Sequence, residues 1–252
     1  MLFVVFSKTA MPEGPSLNIV KENISPFIGS KIIAASGYAK IDYSLLEQKK
    51  IISIETWGKH LFICLKGINL EIHLRLFGSY LINERKPKIN AKLSLQFAKE
   101  ELNFYVVDVK LIKDISIYDK EADVMSEEWN AAKAIKKLKE IPETKICDAL
   151  LDQEIFSGVG NIIKNEVLWR VKLHPETTVK NITPAKLKKL MQEVVKYSFE
   201  FLQYRKEGTL SKHWQAYNQK ICSRCKHKIL KLEVGKGKRA TYVCENCQKS
   251  KV

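Results

Sequence analysis

Four cysteines near the C-terminus restrict what this chain can fold into more than any other feature. They form two pairs, Cys222-Ser223-Arg224-Cys225 and Cys244-Glu245-Asn246-Cys247, with eighteen residues between them. Each Cys-x-x-Cys makes a tight knuckle that directs two thiolates at one point, and this spacing is that of a four-cysteine zinc ribbon whose intervening strands form a hairpin. A segment with so few apolar side chains cannot fold alone, so one structural zinc ion would supply its folding free energy, on the order of 10 kcal/mol or more. A pair of redox dithiols is the rival reading, and it suits the separation and the basic residues between the pairs less well. No redox or nucleotide cofactor is expected. Cys64 and Cys147 lie alone in apolar surroundings, so the cysteines do not form the framework of a secreted, disulfide-stapled chain. No stretch approaches the roughly 18 to 20 apolar residues of a membrane span. The apolar opening, Met1 to Ala10, has no basic region before it and is short for a signal peptide. A cytoplasmic, reducing location is expected.

Between the knuckles the chain reads Gly235-Lys236-Gly237-Lys238-Arg239. Glycines let a backbone approach a ligand closely, and three cations so placed suit phosphate; a solvated loop with incidental charge is the plainer alternative. The whole chain has 43 Lys and Arg against 28 Asp and Glu, a formal charge of +15. A field of that size selects polyanions as partners: nucleic acid, an anionic membrane surface or an acidic protein.

The 252 residues, 45% of them hydrophobic, can bury a proper core and hold two domains or one with an appendage. From Ile19 to about Leu111 short apolar runs of strand length recur: Lys31–Ala35, Ile51–Ile54, Leu61–Leu65, Asn69–His73 and Leu93–Phe97. Their β-branched and aromatic content predicts an antiparallel β-sandwich or barrel. A helix over Pro15–Ile24 precedes them, with Leu17, Val20 and Ile24 on one face. After about Asp119 the period becomes helical, over Ala131–Glu140, Ile146–Glu154, Asn161–Val171 and a long helix from Pro184. That last helix has Thr183 as N-cap and Leu187, Leu190, Met191, Val194, Val195 and Phe199 on one face. The fold class is therefore α+β: an N-terminal antiparallel sandwich with flanking helices, a helical domain and the ribbon hairpin. The domain limits read as 12–120, 121–210 and 211–252.

The opening Met11-Pro12-Glu13-Gly14-Pro15 carries chemistry if translation begins at Met11. Methionine is removed readily before proline, leaving Pro12 with a secondary amine that can attack C1′ of a damaged nucleoside, expel the base and form an iminium. An α-amino group has a reference pKa of roughly 7.7 to 8.0, so an appreciable fraction is neutral at pH 7. Glu13 beside it can shuttle protons during ring opening and imine hydrolysis. If residues 1–10 stayed attached, Pro12 would be a tertiary amide with no basic nitrogen. Residues 1–11 are therefore expected to be absent from the mature protein. Alone, the motif is also explained by a proline-glycine turn leading into a helix.

Taken with the ribbon, the basic charge and the break Gly158-Val159-Gly160-Asn161 between helices, the sequence resembles the formamidopyrimidine-DNA glycosylase and endonuclease VIII family from Pro12 to Lys249. The resemblance implies a bifunctional base-excision repair enzyme, a glycosylase and strand-cleaving lyase. Pro12 corresponds to its Schiff-base nucleophile, Glu13 to the adjacent acid, and Lys59 to a β-hairpin lysine that contacts phosphate and assists β-elimination. Leu150 to Glu166 matches the helix-two-turn-helix. There Gly158 and Gly160 bare the backbone, the following helix N-terminus aims N–H groups at a phosphate, and Asn161 adds a donor. A helix C-cap and loop would also explain these glycines. Arg239 corresponds to the zinc-finger arginine associated with δ-elimination, with Lys236 and Lys238 as DNA-binding neighbours.

The segment His73-Leu74-Arg75-Leu76-Phe77-Gly78 is similar to the endonuclease VIII arrangement, in which three consecutive residues, here Arg75, Leu76 and Phe77, fill the gap left by a flipped base. Apolar residues after a strand are more ordinarily core. The purine branch has a methionine in this loop and an arginine and a phenylalanine on a second one, a pair missing from Val106–Leu111. Oxidised pyrimidines are thus the favoured substrates, with oxidised purines on the same scaffold and a non-catalytic zinc-ribbon DNA-binding protein as alternatives. The expected partner is damaged double-stranded DNA, and the expected state a monomer.

Overall fold

The structure, a computed structural model, describes residues 12–249; the segment 1–11, expected above to be missing from the mature protein, lies outside the described residues. Two compact units part between Tyr118 and Asp119.

In the first unit α1 (Gly14–Ile24) begins with Pro15 in its opening turn, where the missing N–H would have had no helical partner. Leu17, Val20 and Ile24 are fully buried on the expected face. Six strands follow: β1 (Ala34–Gly37), β2 (Ile51–Trp57), β3 (His60–Leu65), β4 (Ile68–Ile82), β5 (Leu93–Gln96) and β6 (Glu101–Ile112). They bond into one antiparallel sheet in the order β1-β5-β6-β4-β3-β2. β4 and β6 share a break in register. Leu74 pairs with Val107 and the next pair is Ser79 with Tyr105, so Arg75–Gly78 oppose Val106 alone. β3 pairs with β4 on one side of this bulge and β5 with β6 on the other. Ile63 and Ile72 from the first half, and Leu95 and Phe104 from the second, meet α1 in a single apolar cluster. The continuous sheet is in this way an antiparallel sandwich.

The sequence pattern misses β6. Leu102 to Tyr105 are buried without alternation, because the loop after β4 covers the second face: Asn103 Nδ2 donates to Glu84 O at 2.9 Å and the Lys86 N–H to Tyr105 Oη at 3.0 Å. The strand expected over Lys31–Ala35 reduces to a bridge between Lys31 and Lys50, with β1 starting at Ala34.

The second unit holds α2 (Ala131–Lys139), α3 (Ile146–Ala149), α4 (Asn161–Arg170), α5 (Pro184–Lys206) and a hairpin of β7 (Leu230–Val234) and β8 (Arg239–Val243). The segments read as 121–210 and 211–252 both fall within it. α3 is shorter than its apolar pattern predicts because polar side chains take over the backbone groups beyond it. Asp152 accepts from Glu154 N–H at 2.9 Å, and Gln153 bonds Leu151 O, Val159 O and Gly158 N–H. On α5, Leu187, Leu190, Met191 and Val194 are buried as expected. The stripe then continues through Tyr197 and Phe201, leaving Phe199 49% exposed. Among the described residues no helix is long and apolar enough to cross a membrane.

α4 is buried from Ile162 to Trp169, polar residues included. Its Glu166 carboxylate accepts the backbone N–H groups of Gln215, Ala216 and Tyr217 at 2.8–3.1 Å. This binds the chain entering the ribbon to the helix. Leaving those donors without an acceptor costs on the order of 3 kcal/mol or more. Glu166→Ala is therefore expected to lower the thermal midpoint of the second unit by about 10 °C, with Glu166→Gln, which keeps one acceptor oxygen, falling between. Circular dichroism melts measure this, and an unchanged midpoint in Glu166→Ala would refute the anchoring role.

Candidate functional site

Pro12 and Glu13 are both buried at the start of α1. Glu13 is the N-cap residue in extended conformation, and its carbonyl accepts from Ser16 N–H at 2.8 Å. Two contacts fix what lies beside them: Lys21 Nζ to Glu55 at 3.1 Å, and Thr56 Oγ1 to Asn18 Oδ1 at 3.2 Å. As β2 advances from Glu55 to Thr56 its partners on α1 step back from Lys21 to Asn18, so strand and helix run antiparallel. The β2–β3 turn, Gly58-Lys59, therefore arrives at the end of α1 that carries Pro12 and Glu13. Trp57 pairs with His60 across that turn, and Gly58 takes φ 52°, the positive value a two-residue hairpin loop demands.

β3 and β4 carry the same end of the sheet onward, His60 pairing with His73 two residues before Arg75. In the bulge Arg75 forms an ion pair with Asp108, which holds it at the base of the loop. Leu76 and Phe77 are 51% and 62% exposed. They are not core residues but an apolar tip in solvent. The loop closes so tightly that a Cβ on Gly78 would lie 2.9 Å from Arg75 N. Val106, opposite the bulge, adopts φ 54° and is partly exposed, an outlying conformation for a β-branched side chain. No second loop interrupts β6 here.

A cleft of about 230 Å³ beside the bulge is lined by His60, Glu71, His73, Arg75, Asp108 and Lys110. His60 Nδ1 lies 2.8 Å from Glu71 Oε1. Burial holds both imidazoles below their ordinary pKa. Of these residues the sequence reading assigned a role only to Arg75; the signal for the others was the alternation that puts 71, 73 and 75 on one side of β4.

In the second unit Gly158 has φ 92°, open to glycine at little cost, and Gly160 is the N-cap of α4 in extended conformation. Asn161, the first residue of α4, donates from Nδ2 to Ala240 O on β8 at 2.9 Å, and its Oδ1 is buried without a partner. Asn165 accepts the Tyr242 N–H at 2.7 Å, and the buried Lys164 ammonium donates to Thr241 Oγ1 at 2.8 Å. α4 thus grips β8 at three consecutive residues. Beyond the grip, Lys236, Lys238 and Arg239 are all exposed at the hairpin tip, and among the described residues none is in an ion pair with an acid.

At the hairpin's other end the sulfurs of Cys222, Cys225, Cys244 and Cys247 all lie within 4.8 Å of one another. The close approaches, Cys222 to Cys247 at 3.9 Å and Cys225 to Cys244 at 3.4 Å, run between the two knuckles. Four thiolates about 2.3 Å from one tetrahedral ion stand about 3.8 Å apart, so the cluster fits a single zinc-sized ion better than two separate dithiols. Trp169 Nε1 donates to Cys222 Sγ at 3.3 Å, an outer contact of the kind that orients metal ligands. Hydrogen bonds, first from Asn246 and then from the His227 backbone, bring the Cys225 thiol down to about 5. Cys147, away from the cluster, is pushed up to about 11 by burial, the mark of an inert thiol.

An antiparallel sandwich with the buried Pro12 and Glu13 at the end of its sheet where a hairpin lysine arrives, and a helix-two-turn-helix carrying a four-cysteine ribbon, define a class of DNA-binding proteins. The chain matches two family models, the "Formamidopyrimidine-DNA glycosylase N-terminal domain" over residues 11–112 and the "Formamidopyrimidine-DNA glycosylase H2TH domain" over residues 121–211. It belongs to the formamidopyrimidine-DNA glycosylase and endonuclease VIII family. It is 32% identical to "Endonuclease 8-like 3" of Xenopus laevis over 95% of this chain and 41% of that protein. It is 29% identical to "Formamidopyrimidine-DNA glycosylase" of Streptococcus pyogenes over 96% of this chain and all of the other. The chain thus spans about two fifths of the length of the first relative and the whole of the second. Lactococcus lactis formamidopyrimidine-DNA glycosylase, solved bound to DNA containing an abasic site, superposes with a TM-score of 0.84 at 25% identity, covering 94% of this chain and 100% of that one.

Because Trp169 touches Cys222, the metal site should be visible optically. Dialysis against a strong chelator at neutral pH is expected to release one ion per chain, to shift Trp emission and to unfold β7–β8 while the first unit keeps its sheet. Cys225→Ser should reproduce the loss. Full retention of hairpin structure after the metal content falls to zero would overturn this.

Proposed function

We propose that the chain is a base-excision DNA glycosylase with lyase activity, acting on oxidised bases, pyrimidines before purines, through an imine on Pro12 once Met11 has been removed. The observation that carries this reading is the buried Pro12–Glu13 pair at the end of the sheet where Lys59 also arrives. The Pro12 nitrogen lone pair forms a bond to C1′ as the C1′–base bond breaks, and the departing base takes up a proton. Glu13 protonates O4′ as the sugar ring opens, leaving an iminium. Loss of a C2′ proton then expels the 3′ phosphate, and a further elimination expels the 5′ phosphate. Water returns the amine, and a one-nucleotide gap bounded by phosphates remains.

The other groups fit the supporting parts. Lys59, Asn161, Lys236, Lys238 and Arg239 offer donors to phosphates, Arg239 with the fork geometry that suits them best. The exposed Leu76 and Phe77, with Arg75 at their base, would occupy the space a flipped base vacates. Their succession on one bulge, with only Val106 opposite, supports pyrimidine lesions over purine ones. One zinc ion held by the four cysteines would fold the hairpin. Damaged duplex DNA is the proposed partner. Every group named is on one chain, so a monomer suffices.

The test is borohydride trapping of protein that starts at Pro12, on duplexes with thymine glycol or 8-oxoguanine and with Pro12→Gly as control, since only an imine is reduced to a permanent cross-link. The expected result is a cross-link stronger with thymine glycol and weakened in the control. Preference for 8-oxoguanine would reassign the substrate to oxidised purines, and no cross-link with either lesion or an abasic site would leave a binding protein without chemistry.

A further inference from the structure

The hairpin tip that carries Lys236, Lys238 and Arg239 lies beyond the grip of α4 on Ala240–Tyr242, yet it is held at a second point. Asp148 Oδ1 on α3 accepts the Lys236 N–H at 2.9 Å. The turn lies so flat against this carboxylate that a Cβ on Gly235 would stand 2.2 Å from Oδ1 and 2.9 Å from Cγ. Gly235 also has φ 80°, a conformation that strains any side chain there, and a Cβ would have to displace the Asp148 carboxylate. The acid sits on a fixed mount: Ile146 N–H donates to Thr177 O at 2.9 Å and Cys147 N–H to Pro175 O at 3.0 Å. Nothing in the mechanism above uses it. An acid that served only to moderate the positive charge of the tip would pair with an ammonium or guanidinium. Asp148 instead bonds a backbone amide, which transmits position.

We propose that Asp148 is a positioning residue: it latches the zinc hairpin's turn to α3 and so fixes where Arg239, paired with Val234 next to that turn, meets a phosphate. The consequence for strand cleavage rests on the function proposed above; the latch itself does not. Removing it should loosen residues 235–239 and impair the second elimination, the step assigned to Arg239, while leaving imine formation on Pro12 intact.

Two variants separate position from charge. Asp148→Asn keeps an oxygen for the Lys236 N–H and loses the charge, whereas Asp148→Ala loses both. In the zinc-loaded protein without DNA, Asp148→Ala is expected to speed hydrogen exchange at residues 235–239 by about tenfold or more, with 241–243 unchanged, and Asp148→Asn to stay near wild type. On an abasic duplex the ratio of δ- to β-elimination products should fall by about the same factor in Asp148→Ala, with borohydride trapping retained, and recover in Asp148→Asn. Unchanged exchange in Asp148→Ala, or equal effects of the two variants, would overturn the latch. A wild-type protein that forms no cross-link at all would refute the catalytic reading, and the exchange result would still decide the latch.

Discussion

A helix buried along its length gains from partnering the polar groups it carries, because an unpaired donor or acceptor away from water costs more than a hydrogen bond returns. α4 carries Asn161, Lys164, Asn165 and Glu166, the last three consecutive and at most 1% exposed. Their partners are the backbone and side chains of the ribbon: Ala240 O, Tyr242 N–H and Thr241 Oγ1 on β8, and three N–H groups at 215–217. The ribbon has too few apolar residues to fold by burial, and its small cluster is completed by Trp169 of the same helix. The order of dependence runs from α4 to β8 to the cations at the tip, and the four sulfurs that could hold a metal ion lie at the far end of the same element.

The first unit reaches precision by a different means. Its candidate site residues are placed by register: each pairing along β2, β3 and β4 decides which side of the sheet a side chain faces. Register must fail somewhere if four residues of β4 are to leave the ladder, and it fails at Arg75–Gly78. Asp108 holds Arg75, and Gly78 lets the loop close on its own backbone. Leaving Leu76 and Phe77 half exposed or more forfeits a good part of the burial worth about 1.5–3 kcal/mol for a fully buried side chain. That loss is what makes them legible as a surface for contact.

What could be read in the sequence follows from which residues carry their own geometric consequence. Thr183 implies a helix N-cap and the cysteine pairs two knuckles facing one point, and the described residues adopt both. α1 was legible because Leu17, Val20 and Ile24, all fully buried, recur at helical spacing. β6 was not, since a strand covered on both faces loses its alternation. α3 ended early because the side chains of Asp152 and Gln153 competed for the backbone, a contest no hydrophobic period records. Phe199 was placed on the wrong side of α5 because an apolar residue was assumed to face inward. The partners of Glu166, Asn165 and Asp148 lie 49 to 88 positions away, and no local pattern announces them.

That last group explains a division of labour at the hairpin tip. Coulomb attraction between a cation and a phosphate falls off slowly and says little about orientation, so the chain's charge of +15 can gather DNA without aligning it. Alignment needs donors of fixed direction, and a guanidinium on a mobile turn has none. Arg239 gains direction only because the backbone on either side of the turn is held: at Ala240 by Asn161, at Lys236 by Asp148. The carboxylate costs some electrostatic attraction for phosphate at the tip. Under the function proposed above it is offset by the loss of motion at Arg239, whose geometry as well as charge a phosphate contact would use.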